Sequence, residues 1–162
     1  MVRMLISDSR RYPKLAQFIN NTLPGVVDRD DVWGAFIEWS TLSDYSARAA
    51  VSPDSDQSPL LRIDDLSARN HNGEFRTRTP DWIFLDQRLV ELHEANHDDS
   101  ATQLWLESTT LHEMVHWGYH QNPSRTYNPN IERGKEFETK AYGIDITMPE
   151  IFADADRDTD VI

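Results

Sequence analysis

The sequence contains no cysteine. A disulfide framework and thiolate metal ligation are both excluded, which leaves histidine and carboxylate as the strong metal ligands. No apolar run approaches the length needed to span a membrane. The opening residues, MVRMLISDSRRYPK, offer only MLI where a signal peptide needs a longer apolar block, so any export is expected by another route. Positive charge is also scarce: 16 Lys and Arg stand against 28 Asp and Glu, for a net charge of −12. With no basic stripe, neutralisation of a nucleic-acid backbone is disfavoured, and so is attraction to anionic lipid. The acidic excess concentrates at Asp28, Asp30 and Asp31, at Asp98 and Asp99, and in the tail ADADRDTDVI. These groups read as solvated caps and an acidic, disordered tail.

What remains is a chain of 162 residues with 38% apolar content, enough for one domain with a core. Asp30 or Asp31 can cap a helix carrying Val32, Trp33, Phe36, Ile37 and Trp39 on a broad apolar face. LLRI at 60–63 and DWIFLD at 81–86 have strand composition, with NHNGEF between them as a turn entering GEFRTRT, and a small antiparallel sheet is expected. Residues 87–97 form a short helix. Ser100 with Gln103 resembles a capping box that starts a longer helix ending before Asn122-Pro123. After the polar loop NPSRTYNPN, a last helix places Phe137, Ala141 and Ile144 at i, i+4 and i+7.

The chemistry-bearing pattern is His-Glu-x-x-His, and it occurs twice, in LHEANHD (92–98) and in LHEMVHWGYHQNP (111–123). On a helix it sets two imidazoles on one face as metal ligands, with the glutamate beside them as general base. The first copy falls in the last turn of a short helix, where ligands would fray, and His93 and His97 are read as surface histidines. The second lies inside a long helix between packed apolar residues, so His112 and His116 are the expected ligands and Glu113 the expected base. His120 lies about 12 Å along the axis from His112 and is too far to share its metal. The third ligand must come from another helix. In EFETKAYG the apolar face turns Glu138 and Tyr142 together onto the neighbouring face, with Glu136 as the rival carboxylate.

These motifs resemble those of known families. Glu138-Thr-Lys-Ala141 after an HExxH is similar to the gluzincin type of zincin metallopeptidase. LESTTLHEMVHWG followed by FETKAYG, with the earlier GEF and IFLDQRLVE, resembles the metallopeptidase toxin domains of bacterial polymorphic-toxin and type VI secretion systems. The resemblance covers about residues 31–146. It implies an α+β, compact zincin-like fold over 31–150, with 1–30 as an N-terminal extension and 151–162 as the acidic tail. It implies Zn2+ held by His112, His116 and Glu138, with Glu113 as catalytic base. It further implies a protein or peptide substrate, synthesis in a bacterial cytoplasm, a secretion-apparatus carrier and a cognate immunity protein. Where thermolysin relatives place an Asp four residues after the ligand Glu, this chain has Tyr142, so the group that orients the first histidine is left open.

Tyr142 is the candidate transition-state stabiliser, with Tyr127, Tyr119 and His120 as the other donors in reach of the motif. The strand around Ile83 to Leu85, if at a sheet edge, could hold a peptide by strand addition. Two other readings stand beside a peptidase. Glu94-x-x-His97 and Glu113-x-x-His116 could pair in a carboxylate di-iron bundle, or the chain could be a non-enzymatic acidic binding protein with coincidental motifs.

Overall fold

The computed structural model describes residues 3–53 and 55–146; the acidic tail therefore lies outside the described residues. Strand β1 (Arg3–Met4) is followed by helices α1 (Ile6–Arg11), α2 (Pro13–Gln17), α3 (Asp30–Ser40) and α4 (Asp44–Val51). Strands β2 (Leu60–Asp64), β3 (Gly73–Phe75) and β4 (Trp82–Asp86) precede helices α5 (Gln87–Ala95), α6 (Ser100–Gln121) and α7 (Arg133–Tyr142).

Three of the four strands form where the sequence places them, β1 being an unexpected addition, and the pairing differs from the expected antiparallel arrangement. The order is β1-β2-β4-β3, and only β3 and β4 run antiparallel. β2 and β4 are parallel, with Leu61 beside Ile83 and Ile63 beside Leu85. The reason is the intervening chain: residues 65–81 contain a 3-10 turn and β3 itself, and this crossover returns β4 alongside β2 in the same direction. Ile83 to Leu85 is consequently an interior strand, and the sheet ends on one side at β3.

Helix α6 runs through the middle of the core, with Trp105, Leu106, Leu111, Met114 and Val115 all fully buried. Each such side chain contributes about 1.5–3 kcal/mol of burial, which fixes the rotation of the helix about its axis. Its cap lies one residue earlier than the sequence suggests: Asp99 accepts the Thr102 N–H at 2.7 Å, while the Gln103 side chain donates to the His97 carbonyl. Helix α7 packs between α3 and α6 through Phe137, whose ring meets Phe36 edge-on at 6.4 Å. It ends at Gly143, whose φ of 81° suits a residue without a side chain.

Residues 1–30, expected as an extension, divide into α1, which buries no side chain and leaves Leu5 and Ile6 exposed, and a following stretch that enters the core. Leu15, Phe18, Ile19, Leu23 and Val26 are buried in the same apolar cluster as α3 and α6. Their spacing is hard to recognise because α2 continues into a π turn (Phe18–Thr22) and then a 3-10 turn (Leu23–Asp28), so no single helical period runs through them.

The first HExxH lies at this junction. His93 is only 3% exposed and meets the Phe18 ring edge-on at 5.9 Å, so it is not the surface histidine expected. Glu94 accepts the backbone N–H groups of Lys14 and Leu15 at 3.2 and 2.8 Å, satisfying the start of α2. The motif here joins two short helices. Glu94→Ala is expected to cost about 1–2 kcal/mol, as loss of a helix cap does, measured by denaturant unfolding. Burial holds His93 below its ordinary pKa of 6.5, with His97 and Lys14 adding to the effect and Glu94 opposing it. A depressed histidine favours folding above the unfolded value, and that contribution is lost as pH falls through the folded one. Stability should therefore decline more steeply below pH 6.5 in the wild type than in His93→Leu; parallel pH profiles would refute this.

Candidate metal centre

Embedding in α6 holds His112 and His116 one turn apart on the same face, with ring centroids 5.1 Å apart. Their common partner comes from the first residue before α7. Glu132 Oε1 lies 2.5 Å from His116 Nε2 and 3.5 Å from His112 Nε2. Among the described residues, His112, His116 and Glu132 are the group of side chains whose ligand atoms, all within 4.8 Å of one another, could hold a metal ion. Glu132 is also the cap of α7: its other oxygen, Oε2, accepts the Lys135 N–H at 2.5 Å. One oxygen is thus tied to the helix start while the other faces the histidines.

Glu138, the expected third ligand, occupies a different place. Its Oε1 accepts from His112 Nδ1 at 2.7 Å, on the opposite side of the ring from Nε2, and its Oε2 accepts the Ile146 N–H at 2.7 Å. A carboxylate there fixes the imidazole plane and leaves the Nε2 lone pair available for a metal. Glu136 is exposed on the outer side of α7. Sequence reasoning missed Glu132 because it followed the faces of the last helix, and Glu132 sits just outside that helix. Glutamate is also not among the favoured cap residues, so composition gives no cue. The available signal was its place immediately before Arg-Gly, where the chain must come close to another element.

That approach is very close. A Cβ on Gly134 would lie 2.2 Å from His112 Nε2, so only glycine lets α7 start against the imidazole. A second glycine acts likewise from the sheet: a Cβ on Gly73 would lie 2.8 Å from Glu113 Cγ and 2.9 Å from its Oε1. Strand β3 therefore lies directly over Glu113. Between β3 and the start of α7 opens a cleft of about 680 Å³, with His112, Glu113 and His116 on its floor.

The electrostatics follow from this crowding. Burial opposes charge on His112, but Glu132 and Glu138 outweigh it and, without a metal, push its pKa up to about 10. Burial would raise Glu132, yet the two histidines hold it far below the ordinary carboxylate range. Glu113 is raised by burial, with His112 and His116 opposing. Glu74 on β3 is penalised by burial but held down by Arg76 and Arg69, which pair with it at 3.1 and 2.6 Å.

The expected oxyanion donors are not all at the site. The Tyr142 hydroxyl turns away and donates to Glu107 at 3.0 Å, where burial and that carboxylate raise its pKa. Tyr119, Tyr127 and His120 line an adjoining cleft on the other side of Glu132. The pairing required by a di-iron centre is not formed, because Glu94 is occupied by α2 and neither it nor His97 belongs to the cluster.

No helix among the described residues is long and apolar enough to cross a membrane. No curated protein and no solved structure matches this chain. A family model does, that of metallopeptidase toxin 3, and the match runs from residue 8 to residue 143, taking in most of the N-terminal helices as well as the histidine helix and α7. The chain belongs to the metallopeptidase toxin 3 family.

Proposed function

We propose that this domain is a zinc peptidase of the HExxH type, with a zincin-like site in which His112, His116 and Glu132 hold the metal. Membership in a metallopeptidase toxin family supplies the coarser activity, peptide hydrolysis by a metal-dependent toxin. The observation that carries the finer reading is the convergence of two Nε2 atoms and one carboxylate oxygen beside the buried Glu113. The donor set fits: two imidazoles and one carboxylate without thiolate suit zinc and leave a position for water or substrate.

When bound there, zinc supplies a Lewis acid that polarises the scissile carbonyl and acidifies the attacking water. The chain's own groups do the rest. Backbone groups on the free side of β3 receive the peptide in extended form over the cleft. Glu113 takes a proton from the attacking water and hands it to the leaving amine. Glu138 keeps the His112 ring oriented through Nδ1, the role that the sequence left open. The toxin description supports the further reading that the domain is made in a bacterial cytoplasm and carried by a specialised secretion system into a target cell, with an immunity protein protecting the producer.

Metal content tests the ligand set. His112→Ala, His116→Ala and Glu132→Ala should strip zinc, whereas Glu136→Ala and His97→Ala should retain it. Glu138→Ala should weaken zinc affinity by roughly 10–100-fold, the usual cost of losing an orienting carboxylate. Gly134→Ala should behave like a ligand variant, because its methyl group displaces the His112 ring. If Glu138→Ala loses zinc as completely as His112→Ala while Glu132→Ala keeps it, the assignment of the two carboxylates is reversed.

Chemistry is tested separately from binding. Glu113→Gln should keep zinc content and melting temperature near wild type while peptide hydrolysis falls by roughly two to four orders of magnitude. Expression in bacterial cytoplasm and periplasm, wild type beside Glu113→Gln, tests the toxin. Growth arrest that survives the substitution would count against proteolysis as its cause.

A further inference from the structure

The cleft beside the metal centre is larger than the one above it, about 830 Å³, and the two share Phe75, His116 and Glu132. It therefore begins where the scissile bond would lie. Its character differs from that of the acidic cleft over Glu113. Phe75, Tyr119, Tyr127 and Ile131 line it together with Pro123 and Pro129. Tyr127 is 86% exposed and Ile131 39%, which places two of the large exposed apolar side chains among the described residues within reach of one substrate.

The walls are held by the chain itself. The Tyr119 hydroxyl donates to the Thr126 carbonyl, drawing the loop after α6 onto the helix. The Arg133 guanidinium stacks 3.6 Å from the centre of the Tyr119 ring, and Arg125 Nη1 donates to the carbonyls of His120 and Asn122 at 2.9 and 3.2 Å. His120 lies against Phe75, with ring centroids 5.3 Å apart. The two arginines that line the cleft are thus engaged in building it, and aromatic faces, Ile131 and two proline rings make up its apolar wall beside the polar edge of Thr77, His120 and Asn128.

We propose that this second cleft is the subsite that sets cleavage preference, taking a bulky apolar side chain, aromatic above all, from a residue adjacent to the scissile bond. The proposal rests on the peptidase reading above. An apolar side chain inserted there is removed from water against Tyr127 and Ile131, and the cleft leaves room for the peptide backbone that carries it. Small or acidic side chains gain no such burial.

The test is digestion of a proteome-derived peptide library by the zinc-loaded protein, with cut sites read by mass spectrometry. Phe, Tyr, Leu and Met should be enriched on the order of tenfold over Gly, Ala and Asp at one position flanking the cut, as expected for an apolar pocket. Two variants at residues that are not zinc ligands probe the walls. Tyr127→Ala removes an exposed wall that the fold does not need and should lower the enrichment several-fold at unchanged zinc content. Thr77→Trp should narrow the cleft and shift the preference towards smaller residues. Cleavage that depends on Glu113 but shows no apolar enrichment, or shows acidic enrichment, would overturn the subsite while leaving the peptidase reading intact. Enrichment unaltered in both variants would place the preference elsewhere. No Glu113-dependent cleavage of any library peptide would overturn the peptidase reading, and the subsite with it.

Discussion

The contact on which the site depends is that between the start of α7 and the imidazole of His112, which only a residue without Cβ permits. With Gly134 against the ring, α7 reaches both sides of one side chain: Glu132 arrives near Nε2 and Glu138 near Nδ1. A Cβ there would separate the ring from the start of the helix, and the contacts of both carboxylates with the ring would be lost together. The apolar packing of Phe137 and Phe36 holds α7 in place at this distance. The polar geometry of the site is thus set by an aliphatic and aromatic interface, which is how a rigid first turn can be offered to a metal.

Much of this was readable from residue order. The helix around His112, the strands at LLRI and DWIFLD and the turn into GEF follow from local periodicity, and they occur where the pattern puts them. Strand direction was not readable, because alternation says which face is buried and nothing about which neighbour lies alongside. The early helices were obscured by their changing pitch. At the site, the residues on the helix, His112, Glu113 and His116, were legible because three of them share one regular element. Glu132 was not, since its position is decided by a loop closing over a long-range contact.

The two copies of HExxH show how little a short motif says by itself. In α5 the second residue binds the N–H groups of a neighbouring helix and the first is packed against phenylalanine. In α6 the same letters face a cleft. What separates them is the surrounding tertiary structure: a short helix whose end must be joined to another, or a long buried one with a glycine pressed against it.

The ion pair between Arg29 and Glu107 ties the segment before α3 to the histidine helix. Glu107 is buried, and both its oxygens accept from Arg29 Nη1, at 2.7 and 2.8 Å, while Tyr142 donates to one of them. A fragment starting just after Arg29 would leave a carboxylate inside the protein with a single neutral donor, next to the helix that carries Glu138. Such a charge is far more costly alone than paired. The charge balance around the histidine helix and α7 is thus completed by a residue distant in the sequence, contributed by the segment that leads into α3.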